Sequence, residues 1–204
     1  MIQSISNGSR TACWLGNLLV VCMVPLAFAC SPKSEYHRKV AAELASGKTV
    51  DSLFLGTHFG MTSKEFYAHC WDMNQKGIIG QGLQNTTALY KLKEGFRGNV
   101  SMDFYPNFYE DRIYEMPVNL VYDAWSPWNK ALHADSLQVE VLQMFEKWYG
   151  QGFLKVISQD RGTAYVKVDG NRRITIYTED EMNVRVMFKD LRISKQLGDD
   201  QKQG

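Results

Sequence analysis

The feature that most constrains the fold is a long alternation of apolar and polar residues between residues 112 and 124. One set of alternate positions holds Tyr114, Met116, Val118, Leu120, Tyr122 and Ala124, and the other set holds Glu115, Pro117, Asn119, Val121 and Asp123. Because successive side chains of a strand point to opposite faces, this pattern predicts an antiparallel strand with one buried face. Pro117 cannot donate a ladder hydrogen bond, so we expect an edge strand or a bulge there.

Two segments have the residue spacing of helices that could cover such a face. In the first, Thr62 and Glu65 form a capping box, and Gly77 supplies the stop. Its apolar and aromatic residues predict that this helix packs through an aromatic stripe; they are Phe66, Tyr67, Cys70, Trp71 and Met73. The second helix is predicted from about Asp135 or Ser136 to Tyr149, since its apolar residues also recur at helical spacing and Gly150 follows.

The remaining strand candidates are short and are joined by short connections. They are residues 51–59, 87–92, 100–105, 153–157, 163–168, 173–178 and 183–188. Strands joined by hairpins form an antiparallel sheet, and helices must cover its apolar face. We therefore predict an α+β, two-layer fold, with a mainly antiparallel sheet and two principal helices packed on one face, in the order roughly β-α-βββ-α-ββββ. This single domain is expected over residues 51–192, with a frayed C-terminal tail over 193–204.

Residues 1–29 have the pattern of a signal peptide. Arg10 lies in a polar start, an apolar stretch follows, and Ala27-Phe28-Ala29 is a cleavage pattern of small residues. Cys30 follows directly, and this arrangement resembles the bacterial lipoprotein signal. The resemblance implies that Cys30 becomes the lipid-modified first residue of the mature chain. Plain secretion and a retained membrane anchor are the alternatives, since the apolar stretch has about 18 residues.

Residues 30–50 are then expected to be a lipid-anchored tether, polar to about Arg38, followed by a short helix over residues 39–45. Cleavage after Ala29 leaves two cysteines, Cys30 and Cys70. If Cys30 is acylated, Cys70 has no partner, whereas a Cys30–Cys70 disulfide would suit a secreted protein without lipid.

Charge excludes one class of partner. The chain has 23 Lys and Arg residues against 22 Asp and Glu residues. Nucleic-acid-binding domains carry a clear excess of basic residues, so no nucleic-acid partner is predicted.

The segment Phe59-Gly-Met-Thr-Ser-Lys-Glu-Phe66 resembles a turn found in known envelope proteins. A Gly-Met-Thr turn opens a helix in small α+β lipoproteins of the outer-membrane assembly (SmpA/OmlA) type and in β-lactamase-inhibitor-like modules, and the resemblance covers eight residues. The lipid signal, the compact α+β body and the aromatic content are also similar to those of uncharacterised bacterial outer-membrane lipoproteins. These resemblances imply a role in the cell envelope, at the outer membrane, and they assign no catalytic residues.

Reactive side chains cluster only at His69, Cys70 and Asp72, with His133 elsewhere in the chain. Neighbouring residues of a helix point about 100° apart, so His69 does not face Cys70 and cannot easily activate it. We expect Cys70 to be a small buried side chain. The sequence therefore assigns no catalytic residue, metal ligand or cofactor, and the alternative is a small secreted hydrolase that uses Cys70 and His133.

The most unusual segment is residues 104–128, which contains eight aromatic residues. Four of them, Tyr105, Tyr109, Trp125 and Trp128, are candidates for an exposed surface that binds an envelope protein or a glycan. The alternative is that they belong to the core. Together these observations predict a non-enzymatic envelope lipoprotein that acts as a binding or scaffolding module.

Lipidation at Cys30 is directly testable. We expect mass spectrometry of the mature protein to find an acylated Cys30 as the first residue, because Cys30 directly follows the cleavage pattern Ala27-Phe28-Ala29. A free amine and thiol at Cys30, or an intact Met1, would contradict this prediction.

Overall fold

A computed structural model describes residues 32–82, 86–158 and 162–198. Within these ranges the chain forms four α-helices and one open antiparallel sheet of nine strands, which confirms the predicted α+β class and the mainly antiparallel sheet. The predicted signal peptide (residues 1–29) and Cys30 lie outside the described residues. In the described ranges no helix is long and apolar enough to cross a membrane.

The elements alternate between helices and groups of strands. The helices are α1 (Pro32–Ala45), α2 (Ser63–Gln75), α3 (Ala134–Tyr149) and α4 (Leu191–Leu197), and a short 3-10 helix (Lys130–Leu132) precedes α3. The strands are β1 (Gly80–Gln81), β2 (Ala88–Leu92), β3 (Val100–Phe104), β4 (Asn107–Tyr109), β5 (Arg112–Tyr122), β6 (Leu154–Ser158), β7 (Gly162–Asp169), β8 (Arg172–Thr178) and β9 (Val184–Asp190). The sheet order is β1-β2-β3-β5-β9-β8-β7-β6, and β4 pairs with the beginning of β5.

Strand β5 is the predicted long strand, but it lies inside the sheet, between β3 and β9, and not at an edge. Pro117 pairs with Met187 on the β9 side. On the other side, the partner strand is interrupted at Tyr105 and Pro106, where β3 ends and β4 has not begun. The missing N–H of Pro117 is therefore accommodated by a gap opposite it, because proline cannot donate to a ladder.

A bulge occurs in β5, three residues before Pro117. Asn107 pairs with Glu115, whereas Phe108 pairs with Ile113, so Tyr114 is the extra residue of β5. Because of the extra residue, the alternation of side chains before the bulge is shifted by one position relative to the alternation after it. Ile113 is therefore buried in the core and Tyr114, which the alternation placed there, is half-buried outside it.

The main core lies on one face of the sheet and includes side chains from α2 and α3. From α3, the side chains of Leu137, Val141 and Phe145 are fully buried, and the ring of Phe145 lies 5.8 Å from that of Phe188 in β9. Phe66 of α2 belongs to the same cluster. Each such side chain contributes about 1.5–3 kcal/mol relative to exposure to water.

Helix α1 lies on the opposite face of the sheet. Val166 and Val168 of β7 point away from the main core and pack in a second cluster with Tyr36, Val40 and Leu44. The sequence predicted a polar tether here, to about Arg38, with a helix only over residues 39–45. The helix instead begins at Pro32, a residue well suited to the first turn because its fixed φ is helical and its missing N–H is not needed there.

The structure differs from the predicted element order in three further ways. Residues 51–59 form no strand, because Leu55 and Gly56 have positive φ angles of 50° and 78° and fold the segment into a turn. The two short strands β1 and β4 were not predicted. Helix α4 occupies part of the predicted tail, and the Asp190 side chain begins it by accepting the N–H of Arg192 at 2.9 Å.

Glu115 of β5 and Lys189 of β9 form an ion pair on the face of the sheet opposite to the main core. Their atoms lie 2.7 Å apart and their side chains are only 11% and 5% exposed. We expect Glu115→Ala to lower the free energy of unfolding by about 3 kcal/mol, because it removes a buried carboxylate that pairs with Lys189 and accepts a hydrogen bond from Asn107. Urea unfolding measures this effect.

Glu179→Ala is the matched control, since the Glu179–Arg185 pair is much more exposed. Its loss should cost less than about 1 kcal/mol. Equal losses for the two variants would contradict the interpretation.

Candidate functional site

The four aromatic candidates do not form one surface. Tyr109 pairs with Arg112, the first residue of β5, and Trp125 lies just after the last residue, Tyr122. Ten residue steps at about 3.4 Å each separate the two ends of β5 by about 34 Å. Tyr109 therefore lies at one end of β5, and Trp125 and Trp128 follow the other end, whereas Tyr105 lies opposite Pro117 in the middle of the strand.

The two tryptophans differ in their surroundings. Trp125 is half-buried against the core, its indole N–H donates to the carbonyl of Glu181 at 3.2 Å, and its ring centre lies 5.9 Å from that of His133. Trp128 is 84% exposed. Trp125 thus helps to hold the loop that presents Trp128 to solvent.

Tyr105 joins an aromatic surface with residues of α2 that the sequence did not predict. Tyr67 and Trp71 of α2 are 51% and 68% exposed, and Tyr105 is 37% exposed. The hydroxyl groups of Tyr67 and Tyr105 lie 2.5 Å apart. We call Tyr67, Trp71 and Tyr105 the α2 aromatic surface.

The predicted aromatic stripe of α2 is thus divided between core and solvent. Phe66 and Met73 are buried, whereas Tyr67 and Trp71, one turn apart, point outwards. The sequence placed all of these on the packing side, because helical spacing alone does not show where the stripe ends. Tyr109, the remaining candidate, is half-buried, with its ring centre 6.4 Å from that of Tyr114.

The capping box fixes where α2 begins and so positions this surface. The Thr62 side chain accepts the N–H of Glu65 at 3.3 Å, and the Glu65 carboxylate accepts the N–H of Thr62 at 2.8 Å. This backbone hydrogen bond, together with one from the Thr62 hydroxyl, lowers the pKa of Glu65 below its ordinary value. An isolated bridge between Thr62 and Arg112 ties the helix start to β5.

The residues of the alternative hydrolase are not arranged for catalysis. Burial raises the pKa of the Cys70 thiol to about 11, which keeps it protonated at neutral pH. His69 is held by the carbonyl of Leu55, 2.6 Å from its Nε2 atom. Within the described ranges no hydrogen bond joins Cys70 to His69 or His133, so neither imidazole is positioned to accept the thiol proton.

Metal-ligating side chains are also engaged elsewhere. His58 Nδ1 lies 2.8 Å from the carbonyl of Phe59, and Asp72 pairs with Lys76 at 2.6 Å. Among the described residues, no group of three or more His, Cys, Asp or Glu side chains could hold a metal ion.

An open cavity of about 610 Å³ lies at the beginning of α3, beside Trp125. His133 and Lys130 line it together with the acidic residues Asp135, Glu179, Asp180 and Glu181. Two of the carboxylates already have partners: Glu179 pairs with Arg185, and Asp180 accepts the N–H groups of Met182 and Asn183. The cavity is therefore polar and acidic, and three of its four carboxylates belong to the β8–β9 loop, while Asp135 belongs to α3.

Comparison of the chain with protein-family models, with curated proteins and with solved structures returns no match.

The low reactivity of Cys70 provides a test of the site's chemistry. A rise in its pKa from 9.0 to about 11 reduces the thiolate fraction about a hundredfold at pH 7.5. Alkylation of Cys70 by iodoacetamide, followed by peptide mass mapping, should be slower by about that factor in the folded protein than in urea. Equal rates in the two conditions would show an activated or exposed thiol and would favour the hydrolase.

Proposed function

We propose that the protein is a lipid-anchored bacterial envelope protein, held at the outer membrane through Cys30, that acts as a non-enzymatic binding or scaffolding module. The observation that carries this proposal is the α2 aromatic surface. Its partner is an envelope protein or a glycan.

The exposure of this surface supports binding. Trp71 leaves 68% of its side chain in water, and Tyr67 beside it leaves about half. Tryptophan and tyrosine dominate the energetics of many protein interfaces, and their rings also stack on sugars. An apolar ring that adds nothing to the core is most easily explained by a contact with a partner.

The rigidity of α2 also supports binding. Phe66 anchors the helix in the core, while the capping box fixes its first turn. The bond between Tyr67 and Tyr105 further restricts both phenol rings. A surface ordered in advance loses less conformational entropy when the partner binds.

The finer architecture belongs to the same proposal. We take α2 and α3 to be the two principal helices on one face of the sheet, since Phe66 of α2 and Leu137 of α3 belong to the same core cluster. In this arrangement α2 contacts the sheet beside β4, where the ring of Phe66 lies 6.3 Å from that of Phe108, and its outer side remains available to a partner.

The hydrolase alternative has less support. It requires a thiolate at Cys70, and burial favours the protonated thiol. It also requires a base beside Cys70, whereas His133 lies at the beginning of α3 and packs against Trp125.

Site-specific photocrosslinking in intact cells tests the binding surface. A photoreactive amino acid at Trp71 should give a discrete crosslinked product, because it lies within the proposed interface. The same amino acid at Trp148, which is 45% exposed on α3, is the matched control and should give little product. Equal crosslinking at both positions, or none at Trp71, would contradict the proposed surface.

A further inference from the structure

Strand β6 is one edge of the sheet, and one of its two sides is open to a further strand. Its five residues pair with the first half of β7 without a register shift. Among the described residues, no strand pairs with the other side of β6. Backbone N–H and C=O groups along such an edge are a template for pairing with another chain.

The side chains of β6 do little to protect this edge. Ile157 is 72% exposed, on the face of the sheet that carries the main core, whereas Val156 points to the opposite face and packs in the cluster beside α1. Edge strands are commonly protected by prolines, bulges or several charged residues. Strand β6 has a single charged residue, Lys155, and neither a proline nor a bulge.

Two copies of β6 fit each other in an antiparallel pair about a twofold axis at Val156. Val156 then lies opposite its own copy, and Lys155 lies opposite Ile157 of the second copy. The aliphatic stem of Lys155 would cover Ile157 while its ammonium group stays in water. A register that placed Lys155 opposite itself would be less stable, because like charges directly opposite each other repel.

Helix α1 lies beside the same edge and would meet its own copy across the axis. The helix packs on β6 and β7, which places its axis near the midline of this strand pair. With neighbouring strands about 4.8 Å apart, the two helix axes would be about 10 Å apart. Packed helices are separated by about 8–10 Å, so the two α1 helices would be in contact.

The side of α1 that faces the free edge carries small side chains. The Glu43 carboxylate accepts the N–H of Gly170 in the β7–β8 turn at 2.8 Å, so its side of the helix faces away from the edge. Successive helix residues turn by about 100°. Ala41 and Ala45, two positions before and after Glu43, therefore lie on the opposite side, and both are exposed. Their small size permits the close approach of a second helix.

We propose that the protein forms a homodimer in which two β6 strands pair antiparallel, so that two sheets become one and the two α1 helices pack across the twofold axis. A twofold interface must be self-complementary, and this edge supplies both Ile157 and the Lys155 stem that covers it. The formal net charge of the chain is only +1, so two copies repel each other little at long range. The contact between the helices adds area, which brings the interface closer to the standard size of about 800 Å² per partner.

The dimer would leave both α2 aromatic surfaces free. Strand β4, beside which α2 packs, pairs with β5, and β5 is separated from β6 by three strands. The dimer would thus present two binding surfaces to a partner, which strengthens binding if both are engaged. The proposed dimer itself depends neither on the lipid anchor nor on the α2 aromatic surface.

Cysteine crosslinking of the purified full-length protein tests the register. In the dimer the two copies of residue 156 lie directly opposite each other, with Cα atoms about 4.5–5.5 Å apart, which is within the range of a disulfide. We expect Val156→Cys to give a disulfide-linked dimer on mild oxidation. Leu154→Cys is the matched control, because its two copies would be about 14 Å apart along the strands and should not be linked. The native cysteines are present in both variants.

A charge exchange tests the contact between Lys155 and Ile157. Ile157→Lys would place two positive charges opposite each other on both sides of the axis. We expect it to raise the dissociation constant of the dimer about tenfold or more, as measured by sedimentation velocity in a mild detergent. Addition of Lys155→Glu should restore the dimer, because opposite charges then face each other. Trp148→Lys, at an exposed position of α3, is the matched control and should leave the constant unchanged.

Three results would each overturn the proposal. The first is a wild-type protein that sediments as a monomer at every concentration measured. The second is equal crosslinking of the two cysteine variants, and the third is a dimer that Ile157→Lys leaves unchanged. Because Ile157 is mostly exposed, its replacement should not alter the circular dichroism spectrum. Rescue by Lys155→Glu further separates the loss of a contact from the loss of the fold.

Discussion

The packing of α3 across the middle of the sheet is the interaction on which the rest of the structure depends. Leu137, Val141 and Phe145 are completely buried against β5, β8 and β9, the strands that join the two halves of the sheet. Without α3, the apolar inner face of these strands would be open to water. Glu140 fixes the helix further, since its carboxylate accepts the hydroxyl of Tyr122 at 2.6 Å and pairs with Arg97 at 2.9 Å.

Local patterns made most of the α+β elements predictable. The alternation in β5 and the spacing of Leu137, Val141 and Phe145 in α3 depend on residues close in sequence, and the capping box at Thr62 depends on four consecutive positions. Long-range pairing was not predictable. The bulge at Tyr114 arises from the register with β4, and the turn at Leu55 arises from backbone angles that the apolar pattern does not reveal.

The candidate site was predictable only in part, because exposure depends on how much of a helix its neighbours cover. Tyr67 and Phe66 are adjacent aromatic residues, yet one is half exposed and the other is buried. Composition drew attention to residues 104–128, which contain Tyr105 and Trp128, but it could not show that Tyr105 lies beside the middle of β5 and Trp128 beyond its end. Trp71 lay outside that segment and became a candidate only through its exposure.

The contacts of α1 fix this helix on the outer face of the sheet, the face opposite to the main core. A flexible tether would let the domain rotate freely about its attachment point, whereas a helix packed on the sheet moves together with the domain. Tyr36 accepts a hydrogen bond from Arg173 at 2.9 Å, Glu43 accepts the Gly170 N–H, and Val40 packs against the apolar side chains of β7. These contacts lie at several positions along α1 and hold it against the outer face of the sheet. The lipid that we propose at Cys30 would therefore be attached two residues before a helix that is fixed on the sheet.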